Sequence, residues 1–556
     1  MKAIWALLLS ALSGVSEGEF LPPDMIEPGM RGFGLTVFRG RGVDTFEVEA
    51  LGVLKDWAPK MDLILVRLSG GPDGVLGKAG VIAGMSGSPI FLGGKLAGAV
   101  AYGWPFSKEP ICGVTPIGAM LEVARRPSNV PDAVPDRKEL APIATPLWLS
   151  GFSPSLVSEM RDALERFGML PVSGGASGSH AADSLSPGSA LGVQLVRGDV
   201  SATAIGTLTW VQGDTVLAFG HPMFSSGSTA LPMTGAYIYD VLPSVYRSFK
   251  IGAATGPTGV ILQDRLPAIA GVRGRRPDML PVTVEVGGKG FRFEVVRHPR
   301  MGPFFVVYGL ASIVAAAEKA SGESTVRLEG TLFLRSTLPD TMKVRDLFSG
   351  FGAPLQAARS IGWLLSAVME NPFREVRVDS ASFHVQVEEK VKLAWIEGVR
   401  VDRQVVRPGE DLRVEVFLRR YLGGRDTLAF DLELPEDLGE GQVVLRVGDA
   451  THIERWEQER APGRFVPMDL FQLLQRLGES KPNDRVYVEL VAPREGLTVS
   501  GAELQRLPPS ALSVLKPGRQ TATSQPVRET LLLERESPVG AVVRGAHTVE
   551  LRVERR

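Results

Sequence analysis

The chain has a single cysteine, Cys112, in 556 residues, so no disulfide can form within it. Its six histidines are scattered, and with one cysteine they offer no Cys/His zinc pattern; no metal and no cofactor is expected. Charge of one sign is also missing. The 61 basic and 62 acidic side chains nearly cancel, which leaves no basic footprint for nucleic acid. Aromatic residues are only 7% of the chain. Beyond the N-terminal segment no stretch reaches the ~20 apolar residues of a membrane span, so no integral span is expected in the mature chain. Global disorder is excluded by an ordinary balance of 44% apolar and 22% charged residues. What is abundant is glycine (63) and proline (40), a mixture suited to many short strands joined by turns. At roughly 150 residues per domain the length suggests three or four domains.

The N-terminus carries an address. Lys2 is followed by a mostly apolar run from Ala3 to Leu12 and then by the small residues Ser13, Gly14, Val15 and Ser16. A positive start, a short apolar stretch and a small-residue exit describe a secretory signal peptide, assigned to 1–18. The expected destination is therefore the periplasm, cell surface or extracellular space. The competing reading is a buried N-terminal strand or helix. In an oxidising compartment a lone cysteine is most simply a buried apolar residue.

Strand and turn signals then divide the chain. Phe33–Phe38, Phe46–Leu54 and Leu63–Leu68 are β-rich, and Ile90–Leu92 and Leu96–Tyr102 flank Gly93-Gly94, a hairpin signal. Arg125–Pro142 carries four prolines and reads as linker. Ser153–Gly168 reads as a helix with Ser153 as N-cap, and Gly174–Gly188 as a Gly/Ser-rich flexible loop. Leu191–Val196, Ala202–Trp210 and Thr215–Phe219 open a second β-rich block. Helices are expected at Tyr308–Ala320, Leu355–Met369 and Met468–Leu477. The alternation at Leu412, Val414 and Val416 resembles the opening of an immunoglobulin-like sandwich. The resulting division is a Ser-bearing β module at 19–124, a linker with one helix at 125–187, a His-bearing β module at 188–350, a connecting helix at 351–373, an immunoglobulin-like sandwich at 374–450 and a C-terminal β-rich domain at 451–556.

The sharpest chemical signal is Gly84-Met85-Ser86-Gly87-Ser88-Pro89, which leads into the Gly93-Gly94 hairpin. A nucleophilic serine has to project from a tight turn whose amides point at one spot, where they stabilise the oxyanion of acyl transfer. Gly84 and Gly87 permit that backbone. On this reading Ser86 is the nucleophile, and the Gly84 and Ser86 amides form the oxyanion hole. The alternative is a plain Gly/Ser turn between strands. A serine nucleophile needs a base, and His221 has the most suggestive setting. It follows the apolar Leu217-Ala218-Phe219-Gly220 and precedes the Ser/Gly-rich Ser225–Ser228. The alternative is a histidine satisfied within the core. His180 falls in the flexible loop, and His298, His384, His452 and His547 read as surface positions.

These residues resemble the SpoIVB-type serine peptidases, named for a bacterial sporulation signalling protease. The likeness covers somewhat under half the chain. One block runs from Phe46-Glu47-Val48-Glu49 through Gly84–Ile90 to Gly113-Val114-Thr115-Pro116-Ile117. The other runs from Ile205-Gly206-Thr207-Leu208-Thr209-Trp210 through Gly220-His221 to Gly252–Gly256. The resemblance implies a chymotrypsin-like fold, with Ser86 as nucleophile and His221 as general base. Three departures from that family, and one from chymotrypsin-like proteases at large, stand out. The blocks are in reversed order, which a circular permutation of two barrels explains. The family's acid, about fifteen residues before its serine, falls here near Gly70-Gly71; Asp73 is the nearest replacement, with Asp62 and Asp240 behind it, and a turn role for Asp73 in Gly71-Pro72-Asp73-Gly74 competes. Met85 stands where chymotrypsin-like proteases commonly have the aspartate that pairs with a newly cut N-terminus. The sporulation protease's PDZ segment has no convincing counterpart.

The expected fold is therefore mainly β: a circularly permuted, chymotrypsin-like double β-barrel followed by β-sandwich-like accessory domains. The expected function is an exported serine endopeptidase acting on a protein or peptide substrate, with an envelope protein partner held by the C-terminal β domains. The alternative is a catalytically inactive protease-fold envelope protein that binds other proteins.

Overall fold

The computed structural model describes residues 17–125, 140–175, 185–317, 322–504 and 524–554. The core of the signal-peptide segment and His180 lie outside the described residues. Two compact units are present, Met1–Pro281 with Arg292–Ser312 and Val282–Phe291 with Ile313–Arg556. Among the described residues no helix is long and apolar enough to cross a membrane.

The first unit holds two closed antiparallel barrels of six strands. Barrel 1 uses β1 (Arg31–Thr36), β2 (Asp44–Ala58), β3 (Met61–Ser69), β4 (Pro89–Leu92), β5 (Lys95–Gly103) and β6 (Ile111–Pro116). They are ordered β4-β1-β2-β3-β6-β5, and pairing of β4 with β5 closes the ring. The β4–β5 hairpin turns at Gly93 and Gly94, both with positive φ (56° and 79°), the backbone a two-residue hairpin with native twist requires. Closure leaves alternate side chains inside; Val48, Ile64, Val66, Met85, Ile90, Val100, Cys112 and Val114 belong to one buried cluster. Cys112 is thus the buried apolar residue the sequence suggests, its thiol pushed well above the usual range by burial.

After β7 (Ala141–Pro142), β8 (Thr145–Ser150) and β9 (Met169–Ser173), barrel 2 uses β10 (Ala190–Gly198), β11 (Ser201–Gln212), β12 (Thr215–Ala218), β13 (Gly227–Leu242), β14 (Phe249–Arg265) and β15 (Ala268–Arg273). Their order is β10-β13-β14-β15-β12-β11, closed by β10 against β11. This barrel ends at Arg273, well before the 350 expected for its module. The 125–187 region is more than a linker: β8 joins β11 and pairs in parallel with β9, on either side of helix Pro154–Glu165. The next helix spans Met301–Ala317, starting before the expected Tyr308. His298 explains the earlier start, because its buried Nδ1 accepts from the Arg300 and Met301 N–H groups at the helix entrance. The surface role expected of His298 is thereby corrected.

In the second unit, strands Glu323–Arg335, Thr341–Phe351 and Arg377–Glu388 form a sheet with the 282–286 segment. Beyond it lies a two-sheet sandwich. Strands Leu393–Val401, Asp411–Arg420, Arg425–Glu433 and Val542–Arg544 form one sheet; Val405–Val406, Gly441–Gly448, Arg485–Ala492, Thr530–Pro538 and Ala546–Val553 form the other. Leu412, Val414 and Val416 share one core with Leu445, Val488, Leu490 and Leu551. The boundary expected at 450 therefore cuts through a single sandwich whose strands come from both sides of it. Helix Ala450–Arg460, unexpected from its charged sequence, begins where the Asp449 side chain accepts from the His452 N–H.

Candidate active site

Ser86 lies in the turn that feeds β4. Met85 N–H donates to the Ile82 carbonyl (3.0 Å) and Ser88 N–H to the Met85 carbonyl (2.9 Å), which folds the segment on itself. Gly84 and Gly87 have φ of +97° and +94°, values that side chains disfavour. The turn is fastened mainly to barrel 2. Thr207 N–H donates to the Ser86 carbonyl (2.8 Å), Thr207 Oγ1 to the Gly84 carbonyl (3.0 Å) and Thr209 Oγ1 to the Gly87 carbonyl (2.8 Å). Three carbonyls are thereby occupied, whereas the Gly84 and Ser86 N–H groups meet no backbone acceptor among the described residues. Those are the amides expected to form the oxyanion hole.

His221 follows β12 through two residues of positive φ, Phe219 (+69°) and Gly220 (+70°). A phenylalanine in that region is uncommon, and packing holds it: the Phe219 ring fills the space beside Gly206, where a Cβ would come within 2.3 Å. Barrel 1 receives this turn. Thr115 Oγ1 donates to the Gly220 carbonyl (2.6 Å), and a Cβ on Gly220 would lie 3.0 Å from that of Ala101. Conversely, a Cβ on Gly87 would lie 1.9 Å from the Thr207 carbonyl oxygen and 2.5 Å from the Phe219 nitrogen. The turns bearing Ser86 and His221, far apart in the chain, are therefore in direct backbone contact.

The two candidate atoms, Ser86 Oγ and His221 Nε2, are both buried. Ser86 is 0% exposed and His221 2%, and among the described residues neither Ser86 Oγ nor His221 Nε2 has a hydrogen-bond partner. His221 Nδ1 lies 2.8 Å from the Pro222 carbonyl, which can only accept, so Nδ1 carries the proton and Nε2 a free lone pair. Burial lowers the ring pKa to about 4, with the Pro222 bond opposing the shift. The imidazole is therefore neutral at pH 7.

Among the described residues no carboxylate bonds to either ring nitrogen. Asp73, expected as the orienting acid, sits exposed in a turn between Pro72 and Gly74 with φ of +55°. It occupies the turn role, because an aspartate tolerates the left-handed backbone that this Gly-rich bend demands. Asp62 accepts from the Asp56 N–H and pairs with Lys55 (3.0 Å), and Asp240 pairs with Arg39 (2.5 Å). The acid that shapes the site is Asp264 on β14, which sequence reasoning missed. Fully buried, it accepts from the N–H groups of Met223 (2.7 Å), Phe224 (2.8 Å) and Ser226 (3.2 Å), fixing the loop that follows His221. Burial raises its pKa, with these donors acting against the shift.

Lys250 was also missed. It is fully buried on β14, its stem 3.2 Å from where a Gly84 Cβ would stand. Its Nζ donates to Thr36 Oγ1 (2.6 Å) on barrel 1, with Thr207 Oγ1 of barrel 2 at 3.5 Å. Burial lowers its pKa to about 7. A lone cation within the apolar run Phe249-Lys250-Ile251 is the sequence signal that could have found it. Beside the turn, a cavity of about 140 Å³ is lined by Ala83, Trp104, Ile143, Tyr246 and Ser248, with the Phe106 and Tyr246 rings edge to face 5.9 Å apart. Ser86 and His221 do not line it.

Among the described residues no group of three His, Cys, Asp or Glu side chains could hold a metal ion. Comparison with protein-family models, curated proteins and solved structures finds no match.

Proposed function

We propose that this chain is an exported serine endopeptidase of the SpoIVB type. The observation that carries the reading is the direct contact between the Ser86 and His221 turns, each ending in a buried, unpaired functional atom. In this reading Ser86 Oγ attacks a peptide carbonyl while His221 Nε2 takes its proton. The same nitrogen then returns the proton to the leaving amine, and water repeats the sequence to release the acyl group. The unoccupied Gly84 and Ser86 N–H groups donate hydrogen bonds to the developing oxyanion. A backbone carbonyl, that of Pro222, takes the orienting part an aspartate has in a full triad. It fixes the tautomer but contributes no full negative charge to stabilise imidazolium, so turnover is slow relative to a triad enzyme.

A second reading is favoured by the same burial: with Ser86 at 0% exposure and no carboxylate on His221, the fold would act as a protein-binding envelope module without turnover. Labelling with a fluorophosphonate probe separates the two. The peptidase reading expects covalent labelling of wild type that disappears in Ser86→Ala and falls at least about a hundredfold in His221→Ala. Absence of Ser86-dependent labelling, in a preparation whose circular dichroism is native, would sink it in favour of the binding module.

A further inference from the structure

In the sandwich, strand Arg485–Ala492 lies in the middle of the five-stranded sheet and carries Glu489. Glu489 is 0% exposed, and among the described residues neither of its carboxylate oxygens has a hydrogen-bond partner. None of the neighbouring cations bonds to it, although Arg446 Nη1 is itself buried without a hydrogen-bond partner among the described residues. Arg446, opposite Glu489 in the strand register, turns its guanidinium to Glu529 (2.6 Å) and to the face of Trp456. Lys481 pairs with Glu534 and lies 4.8 Å from the centre of the Tyr487 ring. Arg464 is held by Glu457 (2.8 Å). Glu489 lines a cavity of about 700 Å³ together with Glu457, Phe465, Leu473, Leu477 and Glu534.

An ionised carboxylate buried without a partner is strongly unfavourable. Protonation removes the charge but leaves a buried hydroxyl with no acceptor, so it does not satisfy the group. A bare metal ion is a poor match, because no three ligating side chains converge among the described residues. A cation that brings its own N–H donors satisfies both oxygens at once. The Phe465, Leu473 and Leu477 side chains supply apolar wall for an alkyl stem.

We propose that the cavity at Glu489 binds an organic cation, an alkylammonium or guanidinium group, through charge-assisted hydrogen bonds to the Glu489 carboxylate. The source is either a free amine or the basic side chain of a peptide. The groups facing Glu489 set its protonation. Burial, Glu457 and Glu534 raise its pKa to about 7, against the opposing pull of Lys481 and Arg446. Below that value the carboxyl is neutral and attracts no cation; above it the site is charged and ready. Binding of the cation therefore releases a proton near pH 7.

Titration calorimetry on the full chain tests this with two probes: agmatine, and an acetylated, amidated Gly-Lys-Gly peptide. Wild type is expected to bind at least one of them saturably at one site, with affinity rising about tenfold from pH 6 to pH 8 as Glu489 ionises. Glu489→Gln keeps the shape and loses the charge, and it should weaken binding at least tenfold while leaving the circular dichroism unchanged. Preference for agmatine identifies a small-molecule site, and preference for the peptide identifies a basic segment of a protein partner. The proposal is overturned if neither probe saturates wild type, if Glu489→Gln binds equally well, or if wild-type affinity is flat across that pH range.

Discussion

At the scale of single residues, the chemistry at His221 follows from burial. Its pKa of about 4 means the folded protein keeps the ring neutral between pH 6.5 and 4, while the unfolded chain takes up a proton in that range. This contribution to stability is complete above pH 6.5 and is lost as the pH falls toward 4. Urea unfolding should therefore show wild type losing about 3 kcal/mol relative to His221→Asn between pH 7 and pH 4. An unchanged difference would mean that water reaches the ring. Asp264 and Asp73 should part company in the same assays. Asp264→Asn removes charge from three backbone hydrogen bonds and should cost about 3 kcal/mol, together with most Ser86 labelling. Asp73→Ala, at an exposed turn, should alter stability by less than about 1 kcal/mol and leave labelling intact.

At the scale of elements, the site is a junction of two turns, each clamped by the other barrel. Gly87 is where they come closest. Gly87→Ala would set a methyl group 1.9 Å from the Thr207 carbonyl oxygen, and both partners are backbone. The expected result is a loss of about 3 kcal/mol or more, read as a lowered urea midpoint, along with loss of labelling. Gly93→Ala, on the open hairpin turn with nothing within 4 Å, should cost about 1 kcal/mol, from backbone strain alone, and spare the site. Equal effects of the two substitutions would show that packing at the junction is not what holds the turns together. Lys250 belongs to this scale too, since its amine ties Thr36 of β1 to Thr207 of β11 directly beneath the Ser86 turn.

At the scale of the whole molecule, the accessory region is one sandwich and not two successive domains. Strands Gly441–Gly448, Arg485–Ala492 and Ala546–Val553 complete a core begun by Leu393–Val401 and Asp411–Arg420. A chain ending at Asp449 would leave Leu412, Val414, Val416 and Leu432 with only Val405–Val406 and Gly441–Gly448 of their facing sheet. Limited proteolysis of that truncated chain should digest 393–449 rapidly, whereas the same stretch resists in the full chain. Equal resistance would mean that the first five strands fold by themselves.

Much of this was legible in the linear text, because it is written in local physics. Strand alternation, the Gly93-Gly94 turn and the Gly84–Pro89 motif each depend on neighbours within a few residues, and the barrels' strands appear close to where periodicity places them. The helix at Ala450–Arg460 and the true extent of the sandwich were hidden, because a capping aspartate and strands from both ends of a long stretch acquire meaning only when paired. The sequence by itself determined a mainly β chain with a serine turn and a histidine at a strand end. Only the tertiary structure decided that those turns touch, that Asp73 is a turn residue, that Asp264 and Lys250 brace the junction, and that His298 is buried. The physical reason is that burial and long-range hydrogen bonds set a polar group's partners and its pKa, and both arise from residues distant along the chain.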